Sequence, residues 1–130
     1  MANRFNVKLP VTRDPNEGEV AVVHVHELGE QDYDKEVGGA LPVVLDFYAK
    51  DSKPCETLAP RYGAVAEKFA GKVRFLKVLQ AANPELAKKL GVTAVPTVVF
   101  FKSGKELGER LTGEEILRTA LKARVEALLA

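Results

Sequence analysis

Val43–Arg61 reads VVLDFYAKDSKPCETLAPR, and the rest of the chain takes its meaning from this stretch. Val43, Val44, Leu45 and Phe47 surround a lone Asp46 in a near-continuous apolar run, the composition of a parallel strand covered on both faces. The run stops at Lys50-Asp51. A helical pattern starts at Ser52-Lys53-Pro54-Cys55 and continues to Ala70, with Leu58, Tyr62, Val65, Ala66 and Phe69 recurring at steps of three and four. Pro60 cannot donate to the carbonyl of Glu56, which predicts a kink there, and Gly71 ends the helix. A buried strand that runs into a helix with a thiol in its first turn suits a reactive site. Backbone N–H groups at a helix start favour an anion, and a thiolate is one.

The whole chain bounds what that site can do. At 130 residues it is one domain, long enough to bury a core. A net charge of +1 with no basic run supplies no phosphate contacts, so nucleic acid is not expected as a partner. No apolar run reaches the length of a membrane span. The start MANRFNVKLP lacks the apolar region of a signal peptide, so the expected location is cytoplasmic. A single cysteine forbids an internal disulfide, and any disulfide must involve a second molecule. Neither a GxGxxG fingerprint nor a phosphate-binding loop is present, and no cofactor is expected.

Outside the central stretch, residues 1–19 read as an N-terminal extension, with a short alternating piece at Phe5–Leu9 and a turn at Asp14–Gly18. The domain proper is expected over 20–130. Val20–Val25 has the β-branched content of a strand. His24 and His26 share a face there, but two imidazoles fall short of the three or four ligands a metal needs, so no metal is expected. Leu28–Val37 predicts a short acidic helix closed by Gly38-Gly39. Val73–Leu79 predicts a strand, and the strand–helix–strand order around it makes a right-handed parallel crossover. Asn83-Pro84-Glu85 predicts a helix start, with Asn83 as cap, and Gly91 a stop after Leu90. Val98–Phe101 predicts a strand joined by Lys102-Ser103-Gly104-Lys105 to Glu106–Leu111 in a hairpin. Gly113-Glu114-Glu115 predicts the opening of the last helix, with Leu117, Leu121, Val125 and Leu128 on one face. Acids at its start and Lys122 and Arg124 toward its end suit the helix dipole.

This order of elements resembles the thioredoxin family over roughly residues 20–130. The motifs that carry the resemblance are Asp46-Phe47-Tyr48-Ala49, Pro54-Cys55, Leu58-Ala59-Pro60, Gly91-Val92-Thr93-Ala94-Val95-Pro96-Thr97, the Phe101–Gly104 turn and Gly113. The resemblance implies a thioredoxin fold: an α/β architecture whose central mixed sheet carries helices on both faces. It also implies a cis Val95–Pro96 bond in a loop that lies against the active site and presents backbone groups to a substrate. The family's Cys-x-x-Cys is here Ser52-Lys53-Pro54-Cys55.

Carried over residue by residue, the resemblance makes Cys55 the second, resolving cysteine and puts Ser52 in the place of the attacking one. It makes Asp46 the carboxylate that moves the second cysteine's proton, and Lys77 the lysine near it. Tyr48, Lys53, Pro54, Val95, Pro96 and Gly113 become the substrate-binding surface. Each has a structural counterpart. Cys55 can serve as a small buried hydrophobe, Asp46 and Lys77 as an ion pair, and Ser52 as an N-cap. A serine hydroxyl is not ionised near neutral pH and cannot attack sulfur as a thiolate does, so Ser52 is expected to cap the helix. The neighbourhood also departs from the family. Asp51 stands where an apolar aromatic is usual, Tyr48 where tryptophan is common, Lys53 in place of glycine and Glu56 in place of lysine. Leu79–Ala82 replaces an acidic segment. These departures favour natural divergence over a single Cys→Ser change in an active parent.

Three functions follow: a binding module that holds an extended protein segment, a monothiol redox protein forming a mixed disulfide with glutathione or a protein thiol, or a dithiol oxidoreductase silenced at position 52. A monomer is expected, since a dimer linked through Cys55 requires an exposed thiol.

Overall fold

The computed structural model describes residues 24–113 and 115–130. The expected strand at Phe5–Leu9, the turn at Asp14–Gly18 and the first residues of the strand at Val20–Val25 lie outside them. In chain order the elements are β1 (Val25–Glu27), a 3-10 turn (Glu30–Asp32) leading into α1 (Tyr33–Val37), β2 (Val43–Tyr48), α2 (Lys53–Lys68), β3 (Arg74–Leu79) and a 3-10 turn (Gln80–Ala82). There follow α3 (Pro84–Leu90), β4 (Thr97–Lys102), β5 (Lys105–Glu106), β6 (Leu111–Thr112) and α4 (Arg118–Leu129).

The sheet order is β1-β3-β2-β4-β5, with β6 also paired to β4. β1, β3 and β2 are parallel, and β4 runs antiparallel to β2. The apolar run of β2 places it at the centre, where Val43, Val44, Leu45 and Phe47 are fully buried. Alternate residues feed two cores. On one face Val44, Phe75, Val98 and Phe100 pack under α2 and α4 through Leu58, Tyr62, Val65, Leu121 and Val125. On the other, Val43, Leu45, Phe47, Leu76 and Phe101 pack under α1 and α3 through Val37, Leu86 and Ala87. The expected mixed sheet with helices on both faces is therefore present. Tyr62 ties α2 to the sheet, its hydroxyl lying 3.0 Å from the carbonyl of Val44 and 2.7 Å from that of Leu76.

The β4–β5 hairpin turns on Ser103 (φ 55°) and Gly104 (φ 80°), both left-handed as a two-residue type I′ loop requires. The pairing is less regular than the sequence suggests. Val98 faces Leu111 instead of Glu109, so two residues bulge out within Leu107–Arg110. Arg110 holds that bulge by donating to Glu106 and to the carbonyl of Leu90 at the end of α3.

Two local expectations are corrected. The last helix starts at Arg118, and Leu117 before it is extended. Ile116 is drawn into the core, and Arg61 donates to its carbonyl at 3.1 Å, so a tertiary contact displaces the helix start. With that start, no acid lies in the first turn of α4 and no base in its last. The side chain of Asn83 does not cap α3. Its Oδ1 accepts from the N–H of Glu30 at 2.8 Å and its Nδ2 donates to Leu79 at 2.9 Å, while Glu30 Oε1 accepts from the N–H of Leu86 at 3.0 Å. The cap of α3 comes from the turn before α1.

Candidate functional site

Strand register brings the sequence-predicted residues to one end of the sheet. β2 finishes at Tyr48, opposite Leu79 of β3, and α2 leaves from that end. Phe47 pairs with Thr97, so the Val95–Pro96 loop enters β4 at the same end. Thr112 pairs with Thr97 from the other side, which puts Gly113 beside it. The N–H of Gly113 donates to the carbonyl of Pro96 at 3.4 Å, and Gly113 adopts φ 99°. The Val95–Pro96 bond is cis, and Thr97 Oγ1 braces the loop by donating to Ala94 at 2.7 Å.

The start of α2 follows from its sequence. Ser52 is extended (φ −106°, ψ 117°) and its Oγ accepts from the N–H of Cys55 at 3.4 Å. Pro54 sits in the first turn, where a missing N–H costs nothing. Asp51 before it is left-handed at φ 60°, a conformation a short polar side chain tolerates. Ser52 and Pro54 are half-buried and Lys53 is exposed. Cys55 is 8% exposed. His24 and His26 line a groove with Ala66, Ala70 and Gly71 toward the opposite end of α2, so neither is placed to activate Ser52.

Asp46 is the one charged side chain buried among the described residues, at 6% exposure. Its Oδ1 has no hydrogen-bond partner among them. Burial pushes its carboxyl up from 3.8 to about 7; Lys77 opposes that and Glu27 adds to it. Lys77 stands opposite Asp46 in the β2–β3 register, but its ion-pair contact is to Glu27 Oε1, at 3.9 Å. Its Nζ also lies 5.4 Å from the centre of the Tyr48 ring. Tyr48 in turn donates from its hydroxyl to Glu27 Oε1 at 2.9 Å, and burial followed by that bond raises its phenol to about 12.

Glu27 thus joins the site although nothing in the sequence singles it out. It ends a three-residue strand, and its place beside Lys77 depends on the β1–β3 register.

The thioredoxin family profile matches residues 24–127, from β1 into the last turn of α4. The chain belongs to the thioredoxin family. Among curated thioredoxins, the chloroplastic X-type protein of Arabidopsis thaliana is 30% identical over 120 residues, covering 91% of this chain and 65% of that protein. The chloroplastic M-type thioredoxin of Pisum sativum is 36% identical over 86 residues, covering 65% of this chain and 50% of its own length. The chain thus spans half to two thirds of these two relatives. Among solved thioredoxin structures, that of Malassezia sympodialis superposes with a TM-score of 0.73 at 30% identity, over 82% of this chain and 91% of the other. Mitochondrial thioredoxin 3 of Saccharomyces cerevisiae gives 0.73 at 28% identity, over 83% and 99%.

Proposed function

We propose that this thioredoxin-family chain has lost dithiol turnover and works as a binding module for an extended segment of a partner protein. The segment would lie across Ser52, Lys53, Pro54, Val95, Pro96 and Gly113, with Tyr48 at its edge. The observation that carries the proposal is the state of position 52. The atom standing where an attacking sulfur is required is a hydroxyl oxygen engaged as a helix cap, 3.4 Å from the N–H of Cys55. Disulfide exchange proceeds through a thiolate, and among the described residues the Ser52 hydroxyl makes no hydrogen bond to a basic side chain that could supply an equivalent. The sole cysteine is buried, so a Cys55-linked dimer would first have to uncover it. The proposed setting is a reducing compartment such as the cytoplasm, where a lone thiol stays free. Among the described residues no helix is long and apolar enough to cross a membrane.

A second reading is favoured by Asp46. A buried carboxyl that ionises near neutral pH on the sheet face under α2 is the partner a monothiol at Cys55 would use. In that reaction the Cys55 thiol gives its proton to the Asp46 carboxylate, and its sulfur attacks glutathione disulfide. One new S–S bond forms, the old one breaks, and glutathione leaves as a thiolate.

The deciding experiment is reduction of a protein disulfide with dithiothreitol as electron source, by this chain and by Ser52→Cys in parallel. Two inactive proteins support the binding module, and a partner pull-down follows. An inactive chain with an active Ser52→Cys means that the serine alone silences a competent dithiol scaffold. Incubation with glutathione disulfide, read by mass, tests the monothiol route: no adduct on the folded chain removes it.

A further inference from the structure

Glu27, Lys77 and Asp46 stand in one row across the sheet. Glu27 pairs with Lys77 between β1 and β3, and Lys77 with Asp46 between β3 and β2. Side chains directly across neighbouring strands share a face, so the ammonium has a carboxyl group on either side. Its resting place is not midway. Lys77 Nζ contacts Glu27 Oε1 at 3.9 Å, whereas among the described residues Asp46 has no ion pair and its Oδ1 no hydrogen bond. Tyr48 fixes this arrangement, because its hydroxyl donates to the same Glu27 oxygen at 2.9 Å and its ring lies under the ammonium at 5.4 Å. A tryptophan at position 48 would offer a ring N–H but no hydroxyl at that reach.

We propose that Glu27 is a positioning residue for Asp46: together with Tyr48 it draws the Lys77 ammonium off the buried carboxyl and so controls the charge that faces it. The other neighbours of Asp46 do not supply that control. Across β4 it faces apolar Val98. From α2 the hydroxyl of Tyr62 is spent on the carbonyls of Val44 and Leu76. The remaining titratable group in the first turns of that helix on the buried side is the Cys55 thiol itself. A neutral carboxyl can donate a proton but not accept one, so Glu27 sets the pH range in which Asp46 could take the proton of Cys55. That use rests on the monothiol reading above; the charge arrangement does not.

The test is a carbon-13 NMR titration of the Asp46 carboxyl in the full chain, in Glu27→Gln, Tyr48→Phe, Lys77→Gln and the Glu27→Gln/Lys77→Gln double variant. The Glu27 and Lys77 side chains are 49% and 39% exposed, so these substitutions leave the core intact. Glu27→Gln is expected to lower the Asp46 midpoint by about half a pH unit or more, Tyr48→Phe to lower it less, and Lys77→Gln to raise it. In the Lys77→Gln background the Glu27 effect should shrink, because there is no ammonium left to divert. An unmoved midpoint in Glu27→Gln overturns the proposal. So does an equal drop with and without Lys77, which would make Glu27 a plain negative charge. If the midpoints move as expected while glutathione still adds to Cys55 at an unchanged rate, the thiol role of Asp46 fails and the positioning role stands.

Discussion

Val43–Leu45 and Asp46–Tyr48 are the two halves of one strand, six residues long, yet they are built differently. The first half is entirely apolar and fully buried, with Phe75 and Leu76 on one side and Val99, Phe100 and Phe101 on the other. The second half leaves one oxygen of a buried carboxyl without a hydrogen bond among the described residues, and places near it a lysine, a glutamate and a tyrosine that contact one another. Burial that stabilises the chain in one half becomes, at the next residue, the cause of a perturbed titration. The difference shows where stability is generated and where it is spent.

The comparison is broken most directly in its apolar half. Leu45→Ala, at a fully buried position in the core beneath α1 and α3, is expected to cost about 2–5 kcal/mol in urea unfolding. A loss below about 1 kcal/mol would mean that this half does not carry the core it occupies.

Asp46→Asn should act in the opposite direction. In the unfolded chain the carboxyl ionises near 3.8, and in the folded chain near 7. Between those values the folded state keeps a proton that the unfolded state has released. Stability therefore falls as pH rises from about 4 to about 7, and is level above that. Removing the carboxyl should stabilise the protein at pH 8 by on the order of 2–4 kcal/mol and do little at pH 4. Denaturation curves at the two pH values check this. Destabilisation at pH 8 would mean that Asp46 is satisfied and that the two halves do not differ in kind.

Tyr62→Phe tests how α2 is tied to the apolar half, since its hydroxyl reaches the carbonyls of Val44 in β2 and Leu76 in β3. The ring stays and one buried hydrogen bond goes, so a cost of about 1–2 kcal/mol is expected in the same assay.

The same division explains what the sequence disclosed. β2 and α2 are legible because each carries a strong local pattern: an unbroken apolar run, then apolar residues at steps of three and four with Ser52 in front. Asp46 is legible because a charge inside such a run has few innocent explanations. Glu27 is not legible, because a three-residue strand has no periodicity and its meaning comes from register with β3. The last helix misleads for a related reason. Glu114 and Glu115 have the composition of a first turn, but with Ile116 buried and Arg61 bonded to its carbonyl, Leu117 is extended and the helix starts only at Arg118. Asn83 has the right residue type for a cap and is instead committed to Glu30 and Leu79, on segments that only the fold brings together. Local chemistry is visible along the chain, and competition from distant partners is not.

The smallest effect is expected at Ser52, where the apolar and polar regimes meet at the helix start. Ser52→Ala removes the acceptor for the N–H of Cys55, and such losses cost about 0.5–2 kcal/mol. At 3.4 Å the bond is long, which places the expected loss at the low end of that range, read as a small drop in melting temperature. Ser52→Asn, which retains a capping oxygen, should recover it. The size of this effect also governs how Ser52→Cys is interpreted, since a thiol is a weak acceptor and forfeits much of the cap. If Ser52→Cys loses no more stability than Ser52→Ala, any absence of exchange activity belongs to the surrounding surface and not to a frayed helix. If it loses clearly more, sulfur does not fit the space the serine occupies, and position 52 has diverged beyond the exchange of one atom.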